Sequence, residues 1–107
     1  MRPILMDALG KVCILIPAYN AEATLGEVLE KIMPYHLSTI VVDDGSSDGT
    51  KQVARRFGSI LLEHPFNLGK GMALRTGFSY ILQREYDLVI TLDADGQHNP
   101  GEIPALL

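Results

Sequence analysis

Four short apolar runs punctuate the chain: Val12 to Ile16, Thr39 to Val42, Ser59 to Leu62 and Leu88 to Leu92. Each is about the length of a β-strand, rich in Ile, Val and Leu, and bounded by turn residues. Their apolarity is continuous instead of alternating, which predicts strands covered on both faces, as in a parallel sheet. Helical spacing fills the intervals. Leu25, Val28, Leu29, Ile32 and Met33 recur at that spacing behind Thr24 and Glu27, which read as a capping box, and Pro34 marks the stop. A second helix is expected from about Asp48, burying Val53, Ala54 and Phe57 ahead of Gly58, a residue suited to the left-handed turn past a helix end. A third is expected from about Lys70 to Glu85, with Leu74, Phe78, Ile81 and Leu82 on one stripe and Gly77 allowing close approach to the sheet. A fourth starts at Asn99 and Pro100, cap and first helical position, with Glu102 three residues after the cap.

Strand and helix alternating four times is an α/β pattern with a parallel sheet and right-handed crossovers. In a Rossmann-like arrangement the strand order is 3-2-1-4, and the gap between strands one and four is the switch point where open sheets of this kind bind ligands. The loops delivered there are Pro17-Ala18-Tyr19-Asn20 and Asp93-Ala94-Asp95-Gly96. The fourth helix has only about two turns, and Ile103, Leu106 and Leu107 leave an apolar face still forming. The expectation is one domain over residues 1–107, with 1–10 as an N-terminal extension and the sheet incomplete. An open edge on the fourth strand would then favour self-association.

Composition narrows the chemistry. The 107 residues are 47% hydrophobic, enough for one core. Nine Lys plus Arg face thirteen Asp plus Glu, a net charge of -4 with no basic run. Nucleic acid is therefore not an expected partner. The single cysteine, Cys13, lies in an apolar run and reads as a small core side chain in a reducing, cytoplasmic compartment. No stretch has the length of a membrane span or the layout of a signal peptide.

The acidic residues gather in two places. In LVITLDADGQH, Leu88 to His98, an apolar strand delivers Asp93 and Asp95 at its tip. Positions two apart on an extended chain point the same way, so both carboxylates can face one ion. Hard oxygen donors suit Mg²⁺ or Mn²⁺, with diphosphate oxygens completing the shell. In IVVDDGSSDGT, Ile40 to Thr50, Asp44 is placed to meet a nucleobase or ribose and Asp48 to cap the second helix. A calcium loop is excluded, because its twelfth position falls on Arg55. NLGKGMALRTG, Asn67 to Gly77, fails both the Walker A and the dinucleotide patterns; it remains a glycine turn opening a helix, where Lys70 and Arg75 can help hold an anion. His36 and His64 read as loop residues, and only His98 lies near the acidic pair.

Taken together, the PAYN loop, VVDDGSSDGT, NLGKGMALRTG and LDADGQH resemble the family 2 glycosyltransferases, nearest the branch that makes polyprenyl-phosphate or dolichyl-phosphate sugars. The likeness runs from Lys11 to Leu107. It implies a GT-A fold of which this chain is the nucleotide-binding half, with the acceptor side and any catalytic base beyond Leu107. It implies that Pro17, Ala18 and Tyr19 pack against the nucleoside, that Val42 and Asp44 contact base or ribose, and that Glu22 stands in for the acidic residue common after the first-loop Asn. Asp93, Ala94 and Asp95 match the DXD motif that holds the metal and the diphosphate of a UDP- or GDP-sugar. Gln97 matches a position that joins the metal shell, and Lys70 one that approaches the nucleotide. The implied reaction is inverting sugar transfer, with a lipid phosphate as one acceptor and the cytoplasmic face of a membrane as its setting. Two alternatives fit the Asp-rich strand ends: a haloacid-dehalogenase-like phosphatase, and a non-catalytic acidic module that binds metal or nucleotide.

Overall fold

The computed structural model describes residues 11–96. The N-terminal extension, the predicted fourth helix with Asn99 and Pro100, and the candidates Gln97 and His98 lie outside the described residues. Within them the elements alternate: β1 (Val12–Ala18), α1 (Glu22–Ile32), a short 3₁₀ turn (Met33–Tyr35), β2 (Ser38–Asp43), α2 (Thr50–Arg56), β3 (Ile60–Glu63), α3 (Lys70–Leu82) and β4 (Leu88–Thr91). The sheet is parallel in the order β3-β2-β1-β4, as the alternation of apolar runs and helices predicts.

Continuous apolarity has the expected cause, since both faces of the sheet are covered. Val12, Ile14, Ile16 and Ala18 of β1 pack with Leu25, Val28, Leu29 and Ile32 of α1 and with Val53 and Ala54 of α2. Cys13 and Leu15 point the other way, joining Ile40, Val42, Ala73 and Ile81 in a second cluster under α3. Cys13 is fully buried and its thiol is pushed up to about 11 by that burial, which makes it an inert core side chain. β1 runs two residues beyond its apolar run, through Pro17. A proline is tolerated in this central strand because the ladder with β4 stops at Leu15 and Thr91, leaving one flank open at Pro17.

Each helix departs from the sequence pattern somewhere: Met33 lies past α1 and is exposed, and the N-cap of α2 is Gly49 instead of Asp48. α1 begins at Glu22, not behind Thr24, and no side chain caps it at Ala21. Thr24 lies inside the first turn, and its hydroxyl donates across the fold to the Ala94 carbonyl at 2.7 Å. α3 ends at Leu82, and its buried residues are Ala73, Gly77 and Ile81; Phe78 and Leu82 are 40% and 83% exposed. Small side chains at four-residue spacing let α3 sit close on the sheet. A Cβ added at Gly77 would stand 2.3 Å from Leu15 Cδ1, so the predicted close approach is real, but its stripe is turned relative to the large apolar residues. No helix among the described residues is long and apolar enough to cross a membrane.

Candidate functional site

The carboxyl ends of β1, β2 and β4 open into one crevice of about 740 Å³, within the usual size of a small-ligand site. Its first wall is the turn after β1. Asn20 adopts a left-handed conformation, φ +47°, which suits Asn better than most residues. That turn is stitched to the loop after β2. Asn20 N donates to Ser46 Oγ at 2.9 Å, and Asn20 Oδ1 accepts from Ser47 N at 2.9 Å. Ala21 N donates to the buried Thr50 Oγ1 at 2.9 Å. Asp48 serves two helix starts at once, accepting from Thr50 N at 3.0 Å and Glu22 N at 3.2 Å, besides the Thr50 hydroxyl. Those donors, the Thr50 hydroxyl foremost, hold its carboxyl below the usual range.

Asp44 is the centre of the second wall. It is only 3% exposed and its four lone-pair directions are filled by the chain itself. Oδ1 takes His64 Nδ1 and Leu68 N, each at 2.8 Å, and Oδ2 takes Gly69 N at 2.9 Å and Asn67 Nδ2 at 3.0 Å. Burial by itself would push this carboxyl up, but the His64 hydrogen bond and the Leu68 and Gly69 amides together hold it down. His64 is a loop residue, as expected, but not a solvated one. It is buried just past β3, and its Nε2 pairs with Thr76 Oγ1 at 2.8 Å, tying the end of β2 to α3. Gly45 makes this packing possible: a Cβ there, at φ +72°, would fall 2.3 Å from the Phe66 carbonyl carbon.

The third wall is the loop after β4. Thr24 fixes the Ala94 carbonyl, and Asp93 Oδ1 receives Lys70 Nζ at 2.7 Å. Lys70 opens α3, whose first-turn amides have no carbonyl within the helix to donate to, so positive charge of two kinds borders the crevice. Asp93, Ala94 and Asp95 all line it. Among the described residues no group of three or more His, Cys, Asp or Glu is gathered for a metal. Two carboxylates lining one crevice fit Mg²⁺ or Mn²⁺ all the same, since such ions are held by one or two carboxylates plus substrate phosphates. The Lys70 ammonium on Asp93 is a stand-in cation at that point.

Of the residues singled out in the sequence, Pro17, Ala18, Tyr19, Asp44, Lys70, Asp93, Ala94 and Asp95 line the crevice together. Three do not. Arg75 is exposed on α3 outside the lining. Val42 has no exposed surface, because its side chain fills the cluster under α3. Glu22 lies outside the lining; its carboxylate stands where a Cβ on Gly49 would go, against the start of α2. Thr24, His64 and Asn67 carry site geometry that sequence reasoning missed. The i to i+3 pairing of Thr24 with Glu27 looked like a local cap, and nothing local marks His64 or Asn67 as partners of Asp44.

Comparison with known proteins accords with this arrangement. Residues 13–107 match the family model for glycosyl transferase family 2. An uncharacterized protein of Methanocaldococcus jannaschii is 38% identical over 94 residues, 87% of this chain and 39% of its own length. An undecaprenyl-phosphate 4-deoxy-4-formamido-L-arabinose transferase of Proteus mirabilis is 37% identical over 113 residues, 94% of this chain and 34% of its own. Glucosyl-3-phosphoglycerate synthase of Mycobacterium tuberculosis, crystallised with Mn²⁺, uridine diphosphate and glucosyl-3-phosphoglycerate, superposes with a TM-score of 0.71 at 27% identity, over 88% of this chain and 37% of that one. The chain thus spans 34 to 39% of the length of these proteins. With a family match over nearly its whole length, the chain belongs to glycosyl transferase family 2.

Proposed function

We propose that this chain is the donor side of a glycosyltransferase, binding a UDP- or GDP-sugar with Mg²⁺ or Mn²⁺ for inverting transfer to an acceptor, a polyprenyl phosphate among the candidates. The observation that carries the proposal is the convergence of Asp93 and Asp95 with Lys70 and Tyr19 in one crevice at the β1–β4 switch point. Tyr19 is 53% exposed at its mouth and offers a ring face to a nucleobase, with Pro17 beside it. Lys70 and the first-turn amides of α3 supply positive charge for a diphosphate. Asp93 and Asp95 would hold the cation, and Gln97, two positions further on, is assigned to the same shell. A bound divalent cation supplies Lewis-acid neutralisation of the charge that grows on a departing nucleoside diphosphate. Asp44 serves the nucleoside by shaping the Asn67–Gly69 turn, and a direct contact requires one of its four present donors to give way. A lipid phosphate is already anionic and needs no general base, whereas a hydroxyl acceptor does. Support for the lipid acceptor comes from the undecaprenyl-phosphate transferase among the relatives. Mn²⁺ and Mg²⁺ both accompany uridine diphosphate in crystals of the mycobacterial synthase.

The test is calorimetric titration of UDP and GDP into the protein with Mn²⁺ and with chelator. Binding should require the metal, and Asp95→Asn, isosteric and in a loop, should weaken the metal-dependent part while far-UV circular dichroism stays unchanged. Equal affinity in chelator and in excess Mn²⁺ overturns the proposal.

A further inference from the structure

Lys70 stands where two different ligands have a claim on it. Its Nζ lies 2.7 Å from Asp93 Oδ1, with the lysine side chain 64% exposed and the Asp93 side chain 18% exposed. The pair spans the crevice between the start of α3 and the end of β4, so the ammonium neutralises a carboxylate assigned to the divalent cation. We infer that Lys70 is a tethered counter-ion that competes with the divalent cation for Asp93 in the donor-free protein and moves onto the diphosphate when donor binds. The inference rests on the donor-site reading above and assigns it an order of events.

The physical grounds are the stem and the charge. Gly69 N is fixed by Asp44 Oδ2, so the backbone that carries Lys70 is held, while four methylenes leave its head free to swing. In the empty site the ammonium lowers the cation's affinity, since the ion must displace it or share one carboxylate with it. A diphosphate brings several anionic oxygens to the same crevice and offers the ammonium a partner of higher charge. Departure of the ammonium then removes one competitor of the cation at Asp93. Two ligands that each relieve the other's competitor bind with positive coupling, and the coupling is reciprocal. The protein is thereby set to bind cation and diphosphate as a unit in preference to the bare ion.

Mn²⁺ titration followed by electron paramagnetic resonance of the free ion tests this without any transfer assay. An ion pair this exposed is weak, so Lys70→Met should tighten Mn²⁺ binding to the nucleotide-free protein by about two- to fivefold. The same substitution should weaken UDP binding in saturating Mn²⁺, so that the ratio of Mn²⁺ affinities with and without UDP falls by about tenfold or more. Lys70→Arg, which keeps the cation, should stay near the wild type in the first measurement. Unchanged or weaker Mn²⁺ binding by Lys70→Met, in a protein whose UDP binding does require Mn²⁺, overturns the inference and leaves the donor site standing. UDP binding that ignores Mn²⁺ in the wild type overturns the donor-site reading itself, and the inference with it.

Discussion

Replacing Asp44 by Asn changes no volume and one charge, yet it should unfold this protein well before the wild type. The carboxylate accepts four hydrogen bonds between 2.8 and 3.0 Å, from His64, Leu68, Gly69 and Asn67, at a residue 3% exposed. An asparagine retains one acceptor oxygen, and its amide group turns two donor hydrogens toward two of those donors. Hydrogen bonds to a charged group contribute roughly 1.5 to 3 kcal/mol each, and two are lost. Asn67 is exposed and can turn to water, which lowers the cost. About 3 kcal/mol remains. For a domain of this size each kcal/mol moves Tm by roughly 4 to 8 °C, so a fall of about 12 °C or more is expected. The chain has no tryptophan, so urea and thermal unfolding are best followed by far-UV circular dichroism. An Asp44 that existed only to greet a nucleoside would lose affinity and leave stability alone. A change in unfolding free energy below about 0.5 kcal/mol for both Asp44→Asn and Asp44→Ala would refute the network as a structural element.

The same carboxylate has a pH signature. Burial raises its pKa, but the His64 hydrogen bond, the Leu68 and Gly69 amides and the charge of His64 together hold it below its ordinary value. A depressed folded pKa contributes stability that is present above the unfolded value, near ~4, and is lost as pH falls through the folded one. The difference in stability between wild type and Asp44→Asn should therefore be steady from about pH 5 to 7 and shrink below about pH 4. A gap that widens on acidification contradicts the assigned direction.

Asp48→Ala removes an acceptor shared by Thr50 N, the Thr50 hydroxyl and Glu22 N, and should cost about 1 to 2 kcal/mol by urea unfolding, with nucleotide affinity little changed. A loss of affinity without a loss of stability would remove Asp48 from its role in holding the two helix starts. Among the described residues β4 pairs with β1 alone, and Phe78 and Leu82 are exposed on α3. Sedimentation should accordingly show self-association at high concentration, and a stable monomer there refutes it.

Where the pattern along the chain has a single physical cause, it was legible. Continuous apolarity at Val12 to Ile16 follows from two covered faces, and the order β3-β2-β1-β4 is the one a Rossmann-like alternation predicts. Thr24 and Phe78 were misread for a common reason. A threonine before a helical apolar pattern is equally suited to cap its own helix or to reach another segment, and only the position of Ala94 decides. For α3, the sequence rule weights large apolar residues, whereas close packing against Leu15 selects the small ones, Ala73 and Gly77, and turns Phe78 outward.

The site shows the same limit at the level of charge. Asp44 and Asp93 each follow a strand, and residue type cannot rank the two as ligands; Asp48, ahead of a helix, already reads as its cap. What separates them is the kind of donor each one meets. Asp44 and Asp48 receive backbone amides and short, packed side chains that cannot leave without disturbing the turn before α3 or the helix starts. Asp93 receives an ammonium on a flexible, exposed stem. A carboxylate whose positive partner can depart at little structural cost is one that can exchange it for another cation. For Asp44 and Asp93 that distinction depends on residues 20 to 25 and 23 positions away, so no local motif contains it. By this criterion the Lys70 ammonium is an exchangeable partner at Asp93, and Asp44 is the fixed point that keeps Lys70 within reach of it.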